Sequence, residues 1–378
     1  MNIITETKEL IKLLKQIKQH SDFVAIDTEF KRKNTYYPKL CLLQLATPQE
    51  AAVVDVLSKD LNLQPFFDLI KDESILKVFF SGRQDIEIIY QISKGLIPNP
   101  LFDCQIAAQF CGYDNNISFK NIVHDLLGIE LDKTYQKTDW TKRPLSQSEF
   151  AYALADATYL SKLYLKISEL NQANGRSSWV QDEFSLLSNP ETYSNDGNWK
   201  KLTYKCRTKH SFYIVKEIFF WRENQAKLQN LPRSWILKDS IISDIANKKI
   251  KDLHQLRKIL LKHDAKISDP HAIQEIISII HKVCSIDENE LPEIPSEKFK
   301  SLKKSCSLHK LQKLLQATSQ KTKISQNVIA TTKHLQKLLK DTNDYSNPIL
   351  NGWRYDIFGI YAKKLLIELQ QNKGIENV

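Results

Sequence analysis

The run Phe23-Val-Ala-Ile-Asp-Thr-Glu-Phe30 constrains the fold more than any other stretch of the chain. Its first four residues suit a buried strand, and the acids Asp27 and Glu29 follow one residue apart. Side chains at i and i+2 of a strand share a face, so two carboxylates converge at the end of an apolar strand. Left uncompensated, they repel each other and lose hydration. A divalent cation resolves the conflict, because Mg²⁺ and Mn²⁺ prefer carboxylate oxygens. Taken alone, the same eight residues also fit an ordinary strand end with two solvated acids, so the remainder of the chain has to decide.

Residues 6–20 read as a helix with an apolar stripe of Leu10, Ile11, Leu13, Leu14 and Ile17. After the first strand, 40–46 and 51–56 read as two more, joined by a short Thr-Pro-Gln-Glu turn that implies antiparallel neighbours. A helix is expected over 62–72 and a buried strand over 77–80. Ser81 and Gly82 then turn the chain into a helix from about Gln84. Helices alone follow, at 102–111, 118–127 and 147–169. A mixed sheet with later helices packed on it is the natural α/β outcome.

Two further acids fall where such a sheet presents chemistry. Asp85 lies in the first helical turn after a strand, the place where open α/β sheets bind ligands; it also suits the helix dipole as a purely structural acid. Ser146 and Glu149 form a capping-box pattern that fixes the start of the next long helix. Tyr152 and Asp156 are then i and i+4 on one face, among Ala151, Ala153, Ala155 and Ala157. Small residues let a helix approach a sheet closely. An acid there is costly to bury without a metal or a base, although the two side chains could also form a simple surface pair.

Charge divides the chain. Residues 1–200 carry a net −4 and residues 201–378 a net +14, within a total of +10. The asymmetry suggests a catalytic part and a part that holds a polyanion. The six cysteines form no CxxC pair, the start lacks a signal-peptide layout, and no apolar run is long enough for a membrane span. A cytoplasmic protein without zinc or disulfides is expected. The nine histidines form no HExxH pattern, and neither a GxxxxGK[ST] loop nor a GxGxxG turn is present. ATP-driven and nucleotide-redox chemistry are therefore disfavoured.

In this order, Ile26-Asp27-Thr28-Glu29-Phe30, Gly82-Arg83-Gln84-Asp85 and Tyr152-Ala153-Leu154-Ala155-Asp156 resemble the motifs of the DEDD superfamily of 3′→5′ exonucleases, tyrosine subclass, and ribonuclease D in particular. Asp139-Trp-Thr-Lys-Arg-Pro-Leu145 is similar to that family as well. One departure stands in Phe79-Phe80-Ser81, where the family usually has a histidine. Farther on, Phe219–Ala226 and Leu231–Asp239 resemble the start of an HRDC domain, and 300–373 looks like a second, divergent one.

The resemblance implies a ribonuclease H-like α/β exonuclease domain (mixed sheet with helices) over 1–170. A polar linker over 171–207 follows, then two small all-α HRDC-type domains over 208–286 and 295–374. It implies two divalent cations, Mg²⁺ or Mn²⁺, held by Asp27, Glu29, Asp85 and Asp156, with Tyr152 orienting the attacking water. The expected activity is 3′→5′ exoribonuclease, releasing nucleoside 5′-monophosphates from single-stranded 3′ ends of tRNA precursors and other structured RNAs. Thr28, Phe30, Lys142 and Arg143 are candidate substrate contacts, against core or solvated roles for each. A monomer without membrane contact suffices. A DNA-directed DEDD exonuclease and a catalytically inactive RNA-binding protein on the same scaffold are the competing readings.

Overall fold

The computed structural model describes residues 3–375, apart from 133, 136–137, 194–196, 249, 251, 264–268 and 293–305. They form two compact units. One comprises Met1–Glu29, Cys41–Ser188 and Phe299–Val378; the other comprises Phe30–Leu40 and Asn189–Lys298.

The sheet consists of β1 (Ile3–Ile4), β2 (Phe23–Lys31), β3 (Lys39–Ala46), β4 (Ala51–Asp55), β5 (Leu76–Phe79) and β6 (Leu101–Asp103). Its strand order is β1-β4-β3-β2-β5-β6. β3 and β4 are antiparallel, with Leu43 opposite Val54. β2 runs parallel to β5, with Ala25 opposite Val78, and β5 runs parallel to β6. The expected mixed sheet therefore forms, with the acid-bearing strand in its interior. Val24, Ala25 and Ile26 are all buried, which is why this strand reads as a continuous apolar run rather than an alternation.

β1 and β6 escape a periodicity argument because two or three residues carry no pattern. The helix expected over 102–111 opens instead with β6. The Asp103 carboxylate accepts from the backbone N–H of Gln105 at 2.8 Å and of Ile106 at 3.1 Å. This cap keeps Asp103 extended and starts the helix one residue later. The helices of this part are α1 (Thr7–His20), α2 (Gln64–Lys71), α3 (Arg83–Ile92), α4 (Cys104–Ala108), α5 (Phe119–Leu127) and α6 (Gln147–Ala173). The capping box is formed as expected: Glu149 N–H donates to Ser146 Oγ at 3.2 Å, and Ser146 N–H donates to Glu149 Oε2 at 2.8 Å. Ala153 and Ala157 are fully buried where α6 packs on β4 and β5.

The segment expected as a linker is largely helical. It contains the end of α6, then α7 (Ser177–Glu183), α8 (Ser185–Ser188) and short 3₁₀ turns. Val180, Phe184, Leu187, Trp199 and Leu202 are buried there; such anchors fix a segment whose polar composition suggests a loop. In the second unit, α9 (Lys209–Gln229), α10 (Arg233–Ile236), α11 (Asp239–Asn247), α12 (Leu253–Lys262) and α13 (Pro270–Cys284) enclose a core that includes Val215, Ile218, Ile242, Leu256 and Ile276. α9 ends at Asn230 in the left-handed conformation. The Asn230 side-chain carbonyl accepts from the backbone N–H groups of Tyr36 and Tyr37 at 3.2 and 3.1 Å, which fastens residues 36–37 to this unit.

The expected boundary at 295 and the end of the acidic Asp287–Glu297 stretch lie outside the described residues. The chain resumes with α14 (Cys306–Thr322), α15 (Gln326–Ile329), α16 (Thr332–Lys340), α17 (Gly352–Arg354), a π turn (Tyr355–Gly359) and α18 (Ile360–Ile375). These helices belong to the unit that contains the sheet. Trp353 stacks on Trp179 with centroids 5.3 Å apart and meets Phe110 edge-on, also at 5.3 Å. The Ser325 N–H donates to Gln109 O at 2.9 Å, and Arg354 pairs with Glu183 at 2.6 Å. The Arg176 guanidinium donates to the carbonyls of Phe110 and Thr322, tying the two stretches of chain together.

Candidate active site

β2 and α6 deliver three carboxylates to one spot. One oxygen from each of Asp27, Glu29 and Asp156 lies within 4.8 Å of the others. Each residue is half-buried. Pleat geometry places the first two together, and only the packing of α6 across the sheet brings in the third.

Asp85 stands apart from this trio. It is buried in the first turn of α3 and accepts a hydrogen bond from the Thr28 hydroxyl. Its charge still bears on Glu29, and Asp27 bears on it in turn. The turn that aims α3 is held by Asp103, whose carboxylate accepts from Ser81 N–H at 3.2 Å and Gly82 N–H at 2.8 Å. Gly82 is required there, because a Cβ would lie 2.4 Å from Phe79 Cβ. At the departure from the family pattern, Phe80 packs edge-on against Phe119 at 5.1 Å.

Without a cation the carboxylates cannot all be charged. Burial, more than any neighbour, raises the Asp27 carboxyl to about 6. Burial and then the charges of Asp27, Asp156 and Asp85 push Glu29 up to about 9. Burial and Asp27 raise Asp156 to about 8. Asp85 is raised too, by burial first and Asp27 second. Carboxylates that hold protons at neutral pH in so confined a space form an all-oxygen donor set. Such a set fits a hard divalent cation, whose charge would favour the ionised forms.

The Tyr152 hydroxyl stands beside Asp156, close enough to hold its carboxyl down against burial and Asp27. Burial and the charges of Asp156, Glu29 and Asp27 push its phenol well above the ordinary value. Without a cation it therefore stays protonated at neutral pH. The Tyr152 ring lies near-parallel to Trp140, 26° apart with centroids 6.2 Å distant. Trp140 is buried, and its indole N–H makes no hydrogen bond of normal geometry. It is nevertheless close enough to hold the Glu29 carboxyl down against the other influences. An unsatisfied buried N–H is costly, so this donor is poised for a Glu29 oxygen. Sequence reasoning missed Trp140 as a site residue; its only signal was its place in the Asp139–Leu145 stretch.

The candidate substrate contacts separate. Arg143 donates to both oxygens of Asp55 at 2.6 Å and to the carbonyls of Trp140, Lys142 and Cys41 at 2.8, 2.7 and 3.1 Å. All five guanidinium donors are thus used inside the protein, and Arg143 anchors the loop that carries Trp140 instead of meeting a phosphate. Thr28 is buried with its hydroxyl donated to Asp85, so in this structure that side chain orients an acid. Lys142 is exposed, and Phe30 is half-buried at the end of β2.

Comparison with known proteins gives the arrangement a lineage. The family described as 3′-5′ exonuclease matches residues 1–171, and the HRDC domain family matches residues 212–280. Ribonuclease D of Bartonella henselae is 39% identical over 370 residues, which span 97% of this chain and 90% of that protein. The chain belongs to the ribonuclease D family. Ribonuclease D of Nitrobacter hamburgensis is 35% identical over 97% of this chain and 95% of its own length. Among solved structures, Escherichia coli RNase D, described as an exoribonuclease involved in structured RNA processing, matches with a TM-score of 0.81 and 25% identity. The match covers 97% of this chain and 99% of that one.

As a ribonuclease D, the chain is a 3′→5′ exoribonuclease of a divalent-metal-dependent family, and the DNA-directed and inactive readings are not favoured. The mixed sheet followed by an HRDC domain is the fold expected for it. Among the described residues, no helix is long and apolar enough to cross a membrane.

Proposed function

We propose that Asp27, Glu29, Asp85 and Asp156 hold two divalent cations, Mg²⁺ or Mn²⁺, and that the enzyme removes nucleoside 5′-monophosphates one at a time from single-stranded 3′ ends of structured RNAs, tRNA precursors above all. The observation that carries this reading is the convergence of Asp27, Glu29 and Asp156 within 4.8 Å, with the Tyr152 hydroxyl beside Asp156. When bound, a pair of such ions acidifies the attacking water and offsets charge on the phosphoryl and leaving oxygens.

The side chains take distinct parts. Asp27, central to the mutual charge effects, would serve both ions; Glu29 and Asp156 would serve the one beside the water; Asp85, set apart, would serve the other. Tyr152 orients the water through a phenol that keeps its proton, and Trp140 steadies Glu29. Phe30 and Lys142 remain the candidates for the terminal base and a phosphate. Such a substrate, together with free thiols at Cys104, Cys111, Cys206 and Cys284, suits a cytoplasmic monomer.

Hydrolysis of an RNA with a single-stranded 3′ tail, with Mg²⁺, with Mn²⁺ and with EDTA, tests the proposal. Stepwise release of 5′-mononucleotides that EDTA abolishes is the expected result. Internal cleavage, or full activity in EDTA, would overturn it.

A further inference from the structure

The second unit contains a cavity of about 630 Å³ that no part of the chemistry above uses. Five cations line it, Arg32, Lys201, Arg222, Arg233 and Lys238, against one carboxylate, Asp239. The wall is built in two layers. Behind it, Glu223 is buried and takes Arg233 Nε at 2.7 Å and the Tyr36 hydroxyl at 3.1 Å. The Arg233 guanidinium sits over the Tyr36 ring at 4.8 Å. Arg222, only 3% exposed, pairs with Asp239 at 2.5 Å and donates to Leu237 O at 3.0 Å. Its Nε has no partner. In front, Lys201 and Lys238 are exposed, and among the described residues neither is held by a carboxylate.

This layering separates structural from functional charge. Arg222 and Arg233 are fixed by acids and an aromatic face. The two lysines stand in solvent at the opening, where a polyanion could displace their counterions. Asn34, Asn198, Thr35 and Ser234 add amides and hydroxyls, which suit phosphate and ribose oxygens and carry no bias toward one base; Tyr36, Leu202, Phe219 and Pro232 supply the apolar part of the wall.

We propose that this cavity is a subsite for the phosphodiester backbone of the RNA substrate, with Lys201 and Lys238 as its phosphate contacts. The subsite belongs jointly to the HRDC helices, to the 3₁₀ turn Asn198–Lys205 that carries Lys201, and to residues 32–36, the segment that follows the acid-bearing part of β2 in the chain.

The test is the salt dependence of binding to a fluorescent single-stranded RNA. An Asp156→Asn chain would be used, so that binding is read separately from any hydrolysis. Each lost phosphate contact on a single strand lowers the log–log slope by about 0.7. The pair Lys201→Ala and Lys238→Ala should therefore lower it by about 1.4. Between 50 and 200 mM salt, the unsubstituted chain should then lose about sevenfold more affinity than the doubly substituted one. The Lys201→Arg, Lys238→Arg pair keeps the charge and should keep the slope. An unchanged slope in the alanine variant, or an equal drop in the arginine variant, would overturn the proposal.

Discussion

The acid cluster at the end of β2 and the basic cavity of the second unit handle charge in opposite ways. Asp27, Glu29 and Asp156 are crowded within 4.8 Å and stripped of enough water that Glu29 keeps its proton up to about 9. In the cavity, Arg222 and Arg233 are neutralised by pairing, with Asp239 and Glu223 respectively, while Lys201 and Lys238 stay in water. Coordinating a cation requires carboxylates whose mutual repulsion the ion relieves. Holding a long polyanion requires cations that remain hydrated until the strand arrives. The first arrangement is costly without its ion; the second costs little at rest.

The sharpest way to break this contrast is Asp156→Ala. Losing one ligand from the cluster removes several kcal/mol of transition-state stabilisation, so kcat/KM for RNA should fall by about 10³-fold or more. RNA affinity should largely persist in a fluorescence titration. Hydrolysis at the parent rate would mean that the cluster is not the reaction centre.

Trp140→Phe keeps the ring against Tyr152 and removes the N–H. Groups that orient metal ligands typically contribute about 10- to 100-fold to metal affinity. The Mn²⁺ concentration for half-maximal activity should rise about tenfold, with thermal stability nearly unchanged. A change in stability without a change in metal dependence would mark Trp140 as packing alone.

Arg143→Lys should act between the two regions' behaviours, weakening both indirectly. It loses the paired hydrogen bonds to Asp55 and the carbonyl contacts, so a reduced melting temperature and a few-fold lower kcat are expected, with an unaltered salt slope of RNA binding. A reduced slope would return Arg143 to the substrate contacts.

The smallest effect is on stability against pH. The cluster's carboxyls titrate above ordinary unfolded carboxylates, Asp27 at about 6, Asp156 at about 8 and Glu29 at about 9. Between the unfolded and folded values, the native state binds more protons. Stability in EDTA should therefore fall as pH rises from 5 to 9, by a few degrees in melting temperature. Mn²⁺ should restore more stability at pH 8.5 than at pH 6.5, as followed by differential scanning calorimetry. A flat or rising EDTA profile would show that the acids are not crowded in solution.

Much of the site was legible because its motifs are local. The pair Asp27 and Glu29 follows from strand periodicity, and the Ser146–Glu149 cap fixes the phase of the helix carrying Tyr152 and Asp156. Asp85 was legible as a residue but not as the outlier of the group, since its hydrogen bond to Thr28 spans 57 positions in the chain. The intramolecular partners of Arg143 and Thr28 were hidden for the same reason. A side chain's free donors can be counted only once its distant acceptors, Asp55 and Cys41 for Arg143, are in place. The polar stretch 171–207 misled because composition does not reveal the few buried anchors, such as Phe184 and Trp199, that order it.

The sequence by itself determined the sheet-with-helices class, the acids and the tyrosine, and a basic C-terminal half, because periodicity, capping and net charge are properties of neighbours along the chain. Tertiary structure alone decided that 306–375 joins the sheet-bearing unit through Trp353 and Arg354, which meet Trp179, Phe110 and Glu183, that residues 32–36 wall a basic cavity, and that Trp140 lies beside Glu29. Each of these depends on groups brought together from far apart, and short-range rules hold no information about which distant surfaces bury each other.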